Sequence, residues 1–474
     1  MKKFAVFALL MSGSFTALAG GLTTNTNQNV AFLRNPARGT STEIDAVYSN
    51  PAGVSFLDDG FHFSFNVQGA FQTRTSKSTF APFAYNGGNE TKTYKGTASA
   101  AIPSFDFAWK HKRWSVMAAF GVIGGGGRAT YDTGLGSFES QVAILPAALS
   151  AQGINTTAYS VDSYMSGSSI VYAAQAGLAF RITDWLSVAA QVRFNHASNG
   201  YEGYIRDIRI NPQHPQLNPD GGMVLAYDFF TKAAAAYAAA GDAANSAAMT
   251  AYANAVKDKQ LDSKQSGYGF NPIVGVFFNH KGWSLGVKYE FRTKITVTNN
   301  TAVDDTGLYP DNEESRNDIP ALLSVAAGKE FWDRFRVSVE YHHYFDKSAR
   351  IAHDKHDLID GGTNEYIAGF EYDITKRWLV STGVQRTQYN LSDAFYSDMS
   401  FSLSSTSWGV GGAFRILENL KLNFAYFVTF YDKHTVNQEI YNNNALKLAG
   451  SDAYNRTSHV FGIGLDWSFN CRKR

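Results

Sequence analysis

Three stretches of this 474-residue sequence combine residue types that could do chemistry. His353-Asp354-Lys355-His356-Asp357 mixes imidazoles with carboxylates in the manner of a metal site, but it falls in a segment that reads as a solvent loop. The acidic stretch from Asp304-Asp305 through Asp311, Glu313 and Glu314 lacks the spacing of a calcium-binding loop. Gly124-Gly125-Gly126-Gly127 would cradle a phosphate only if Lys-Ser/Thr and a helix followed, and neither does. No nucleophile elbow, zinc-protease signature or carboxylate pair is present. The sequence thus assigns no catalytic residue, no metal and no cofactor, and the chain reads as something other than an enzyme. Its lone cysteine, Cys471, excludes an intrachain disulfide. With 42 Lys+Arg against 41 Asp+Glu, it has no basic excess to neutralise nucleic-acid phosphates.

The elements that would position such residues follow from patterning. Lys2 and Lys3 precede the apolar stretch Phe4 to Leu18, and Ala17-Leu18-Ala19 has the small-x-small form of a cleavage site. Residues 1–19 are therefore expected to be a secretory signal peptide, leaving Gly20 first. Mean hydropathy is −0.23, and beyond this leader no run reaches the roughly 20 apolar residues of a spanning helix. From Gly60 onward, however, apolar and polar residues alternate with period 2. Trp283, Leu285, Val287, Tyr289 and Phe291 point one way, while Ser284, Gly286, Lys288, Glu290 and Arg292 point the other. Such strands reconcile a polar average with a membrane, because only alternate residues face lipid.

Fourteen segments of this kind occur between 60 and 470. The connections after even-numbered segments are tight (110–113, 183–185, 281–282, 332–334, 375–377, 417–419), and those after odd-numbered segments are long. Trp109, Trp114, Trp185, Trp283, Trp332, Trp378 and Trp467 gather at the short-turn rim, seven of the eight tryptophans. The expectation is an all-β fold, a 14-stranded antiparallel transmembrane β-barrel spanning 60–474, with both termini on the short-turn, periplasmic side. Two segments break the pattern. Residues 20–59 are polar and non-alternating, and could fold into the lumen as a plug. The loop at about 204–263 contains alanine-rich helix-forming sequence.

Asp45-Ala46-Val47-Tyr48-Ser49-Asn50-Pro51-Ala52-Gly53 resembles the plug signature of the FadL/TodX family, outer-membrane channels for long-chain fatty acids and other hydrophobic compounds. The barrel size and the helical loop after the fifth strand are similar too. Asn35-Pro36-Ala37 also occurs, but Asn50, Pro51, Ala52 and Gly53 fit the family's hatch motif better. An Asn-Pro pair fixes a corner, since proline restricts itself and the residue before it. The resemblance implies passive uptake of a hydrophobic solute in the cell outer membrane. Capture would occur on external loops, and release through a lateral opening at a kink in the third strand. Gly124, Gly125, Gly126 and Gly127 are the expected kink, and Phe229, Phe230, Tyr237, Met249 and Tyr252 the candidate capture residues. Outer-membrane lipid, lipopolysaccharide and the barrel-assembly machinery are the implied partners, with no nucleic acid and a monomeric state. The tail after Phe469, Asn470-Cys471-Arg472-Lys473-Arg474, departs from the usual terminal aromatic. Inward charges such as Arg193, Lys288, Glu290, Arg292, Glu340 and Glu371 leave a general aqueous porin as the alternative, and a barrel-borne lipid hydrolase as a further one.

Overall fold

The computed structural model describes residues 22, 25 and 27–470; the expected signal peptide and the Cys471–Arg474 tail lie outside the described residues. The strands are β1 (Gly60–Phe80), β2 (Thr91–His111), β3 (Trp114–Tyr131), β4 (Tyr159–Arg181), β5 (Leu186–Ile210) and β6 (Lys259–His280). Next come two interrupted strands, β7 (Trp283–Glu290 and Thr296–Asp304) and β8 (Glu314–Arg316 and Leu322–Phe331). β9 (Phe335–Tyr344), β10 (Ile359–Asp373), β11 (Trp378–Leu391) and β12 (Ser405–Leu417) follow, then β13 (Leu420–Tyr431 and His434–Gln438) and β14 (Gly450–Asn470). Each pairs antiparallel with its neighbours, and β14 returns to β1 from Gly60↔Asn470 to Phe80↔Gly450, closing a 14-stranded barrel. Closure pairs β14 with β1, so neither terminal strand is left as a free sheet edge, as a hydrocarbon environment requires.

Alternation decides which face looks where. Trp283 and Leu285 are 59% and 48% exposed on the outside, while Lys288 and Glu290 are 6% and 7% exposed inside. The burial is inverted relative to a soluble β-sandwich. On β1 the outward apolar set runs from Phe61 to Phe71. That is about 34 Å of strand, or roughly 26 Å along the normal at a 40° tilt, against an apolar band of about 25 Å. Beyond Phe71 the outward positions turn polar, at Thr73, Thr75 and Lys77. At the short-turn rim, Lys112 and Lys281 take positive φ (53° and 50°), as two-residue hairpins demand, and Trp332 does so (53°) in the three-residue turn 332–334.

The long-loop rim carries helices. Between β3 and β4 lies α3 (Gly136–Ala151), a helix that the periodicity does not announce. Between β5 and β6, α4 (Ala226–Ala239) and α5 (Ala243–Ala255) form the alanine-rich hairpin expected there. Ahead of β1, residues 27–59 fill the barrel with α1 (Val30–Arg34), α2 (Ala46–Ser49) and a 3-10 turn at Pro51–Phe56. Their apolar side chains find two inward patches. Val30, Phe32 and Leu33 pack with Ala70, Phe427 and Val460, while Ile44, Val47, Ala52 and Val54 pack with Met117, Ala179 and Phe277.

Candidate functional site

Three features of the interior form one site: the N-terminal plug, the wall beside it, and a cavity above. The Asn-Pro corner anchors the plug on itself. Asn50 donates through Nδ2 to the Ser41 carbonyl at 2.9 Å. Pro51 opens the 3-10 turn, and the Gly53 N–H returns to the Asn50 carbonyl at 2.8 Å. A Cβ on Gly53 would lie 2.3 Å from both the Ser41 oxygen and Asn50 Nδ2, so the corner closes only around glycine. The barrel then grips this segment's carbonyls. Gln175 and Gln191 donate to Val47 at 3.0 and 2.9 Å, Ser187 to Ala52 at 2.7 Å, and Lys288 to Tyr48 at 3.1 Å.

One flank of the plug is ionic. Arg38 makes a bidentate pair with Asp45 at 2.7 and 2.8 Å and reaches Glu371 on β10 at 3.0 Å. Arg34 meets the same Glu371 oxygen at 2.5 Å, and Lys421 on β13 binds Glu43 at 2.8 Å. Burial alone would lower the pKa of Arg38, but Asp45 and Glu371, then Glu43, hold it well above its usual value, so the guanidinium stays charged. Gly39 donates to Glu340 on β9 at 2.8 Å, and Glu340 in turn meets His342 at 2.7 Å. The inward Arg193 pairs with Glu290 at 2.5 Å, and Tyr48 lies between Arg193 and Lys288, its ring 4.9 and 5.0 Å away. Of the six expected inward charges only Arg292 is not buried; it donates to the Ser348 carbonyl.

The opposite flank, at Asn25 to Gln28, carries no charged side chain and meets a broken seam. β2 and β3 are paired up to Phe105↔Phe120 and again from Ser99↔Arg128, but the ladder is interrupted between them. The four glycines lie inside that interruption. On the other side β3 keeps its pairing with β4 through two bulges, at Val122/Gly124 and Gly125/Gly127. Gly125 and Gly127 both have φ of +81°, and a Cβ on Gly125 would sit 1.9 Å from the Ser169 carbonyl oxygen. This is a backbone bend that only glycine can make. Plug amides occupy the freed β3 carbonyls: Asn25 N donates to Ile123 O at 2.6 Å, Asn25 Nδ2 to Gly125 O at 2.8 Å, and Gln28 Nε2 to Val122 O at 2.9 Å. Ser104 on β2 donates to the Gln28 carbonyl. Meanwhile the side-chain oxygens of Asn25, Asn27 and Gln28 find no partner among the described residues. Buried, unsatisfied acceptors weaken this flank. An open notch of about 510 Å³ indents the outer wall beside the seam, lined by Phe71, Ser99, Arg128 and His459 among others.

Above the plug, at the long-loop rim, lies a largely apolar cavity of about 420 Å³. Phe138, Ile205, Leu261, Leu308, Tyr396, Met399, Val436 and Tyr454 supply its greasy wall; Asp393, Asp398, Asp452 and Lys259 supply its charges. None of the five aromatic and methionine residues expected at the capture groove lines it. Phe229 and Phe230 are buried, Phe230 meets Tyr252 at 5.4 Å between ring centres, and Met249 and Tyr252 pack on the same cluster. Tyr237 is exposed. The cavity's residues come from four different connections and four strand ends, so no single stretch of sequence signals them.

No protein-family model matches the sequence, and no curated protein sequence does either. Solved structures do match in shape. A FadL homologue from Pseudomonas aeruginosa aligns with a TM-score of 0.63 at 14% identity, over 95% of this chain and 100% of that one. The P. putida toluene transporter TodX aligns at 0.56 and 14%, covering 91% and 95%. The Ralstonia pickettii toluene transporter TbuX aligns at 0.52 and 15%, covering 99% and 100%. A closed antiparallel barrel is therefore a fold that this chain shares with the FadL homologue, TodX and TbuX.

Proposed function

We propose that the chain is an outer-membrane channel for passive uptake of hydrophobic compounds, with long-chain fatty acids among the solutes that suit it. The observation that carries this reading is the broken β2–β3 seam with plug amides hydrogen-bonded into it. A solute enters the apolar cavity at the long-loop rim, which is the extracellular one, moves inward as residues 20–59 rearrange, and leaves sideways through the seam. Residues 20–59 are the hatch, Asn50 to Gly53 its fixed corner, and Gly124 to Gly127 the lateral opening. The two flanks suit a hinged hatch. Charge-assisted bonds of about 1.5–3 kcal/mol each hold the β9–β13 side, while neutral ones of about 0.5–1.5 kcal/mol hold the seam side, which yields first. Lateral exit into lipid spares a chain of about ten methylenes roughly 8 kcal/mol of hydration cost. The concentration gradient supplies the drive, and no covalent step is needed. Of the six inward charges that would favour an aqueous porin, Arg193, Lys288, Glu290, Glu340 and Glu371 are engaged with the hatch or with one another rather than with a water path.

The test is uptake of a labelled long-chain fatty acid by cells carrying the protein. A disulfide designed to staple β2 to β3 across the interruption should abolish uptake when oxidised and restore it on reduction. Undiminished uptake through the stapled seam would reject lateral release.

A further inference from the structure

The floor of the rim cavity is the β11–β12 connection, residues 392–404, which dips into the barrel mouth. Met399, Phe401 and Leu403 are buried there, together with Asp398, Ser400 and Ser402. The tip is stiffened by a two-way backbone bridge between Ser397 and Ser400, at 3.1 and 3.0 Å. Its base is held by Ser392 on the Leu358 carbonyl and by His434 against Asp393, and two attachments flank the tip. At one end Asp398 accepts the backbone N–H and the hydroxyl of Ser137, in the first turn of α3, at 2.7 and 2.9 Å. At the other, Arg74 on β1 donates to the Phe401 carbonyl at 3.1 Å and carries its guanidinium 4.3 Å from the centre of the Phe401 ring. That ring also stacks on Tyr454, with centroids 4.9 Å apart.

Arg74 interacts as well with Tyr131, the last residue of β3, and Met399 packs in one cluster with Tyr131 and Ala129, just beyond the glycine run. The loop tip therefore stands between the cavity and the stretch of β3 that leads down to the seam.

We infer that the β11–β12 connection is an inner gate of the passage, latched by Phe401 against Arg74, and that a solute advances from the cavity by displacing that ring. The inference rests on the uptake reading above and adds to it a second barrier, separate from the hatch. The stiff tip moves as one piece, because Ser397 and Ser400 are bonded to each other, while Asp398 and Phe401 on either side hold to other elements. A guanidinium–ring contact in a desolvated place is strong enough to hold the closed form yet weak enough to be exchanged for a passing solute.

The gate is tested in full-length protein with Cys471→Ser as background. Ser137→Cys with Asp398→Cys places two thiols where hydroxyl and carboxylate now touch. Oxidation should cut uptake of a fluorescent C12 fatty acid by at least about tenfold while the detergent-solubilised protein still binds the probe, and reduction should restore uptake. Phe401→Ala should raise initial uptake on the order of tenfold, with the heat-modified gel mobility of a folded barrel; Phe401→Leu should fall between. Wild-type uptake by the oxidised pair, or no change in Phe401→Ala, would overturn the gate while leaving the channel reading intact. Absence of uptake by the unmodified protein would overturn the channel reading and the gate with it.

Discussion

Replacing Arg38 by glutamine isolates the hatch's ionic flank. Arg38 is buried and touches three carboxylates, but they do not lose equally. Glu371 keeps Arg34 at 2.5 Å and Arg336 at 3.3 Å, and Glu43 keeps Lys421 at 2.8 Å. Asp45 is left with the hydroxyls of Ser41 at 2.8 Å and Ser49 at 3.4 Å and no cation. An uncompensated buried charge of this kind costs about 3–5 kcal/mol. At about 1.4 kcal/mol per factor of ten, the population of hatch-open molecules should rise by at least about a hundredfold. The cost falls on the hatch alone, because the barrel ladders do not involve Arg38. Hydrogen exchange followed by mass spectrometry reads it directly: amides of residues 46–56 should exchange faster while those of β10 and β13 do not. Adding Asp45→Asn removes the orphaned charge and should recover most of the protection. Wild-type protection in Arg38→Gln would refute the reasoning. So would a double variant no better than the single one, since the loss would then not be the stranded carboxylate.

Other predictions read different parts of the site. Gly125→Ala combines a φ of +81° with a 1.9 Å approach to Ser169 O, so it should destabilise folding far more than Gly87→Ala, where φ is +87° and nothing lies within 4 Å; thermal shifts of heat-modifiable mobility compare the two, and equal shifts would argue against the obligatory bend. Gln28→Ala removes the bond to Val122 O at 2.9 Å and should loosen the seam flank, raising fatty-acid uptake and ion leak in planar bilayers together; a tighter channel would contradict the weak-flank reading. Burial, then the Asp452 carboxylate, push Asp398 up to about 7 against the hydrogen bonds of Ser137. A folded-state value above the unfolded one means that the folded loop holds a proton that the unfolded chain sheds between about pH 4 and 7, so this contribution is present at low pH and is lost as pH rises through 7. Residues 392–404 should exchange their amides more slowly at pH 5 than at pH 8 after correction for intrinsic rates, and Asp398→Asn should flatten the difference.

Period-2 alternation, tight turns after even strands and tryptophans at one rim are local properties, and they determine a closed barrel because each residue needs to be told only inside from outside. Asn50-Pro51 likewise specifies its own corner through restricted dihedrals. The β2–β3 break is different: the glycines permit positive φ, but whether the ladder opens toward β2 or β4 depends on the register of both neighbours. Helix α3 lacks the apolar periodicity that would mark it, and its burial comes from loops far along the chain. Phe229 and Phe230 carry a helical spacing that fits either a groove or a helix–helix core; only the packed loops placed them in the core. The hatch's ion partners lie more than 300 residues away, at Glu371 and Lys421, and the buried tip at Phe401 meets Arg74 across 327 residues. Barrel closure alone brings such inward side chains together, because each one's neighbours depend on the stagger of all fourteen strands at once.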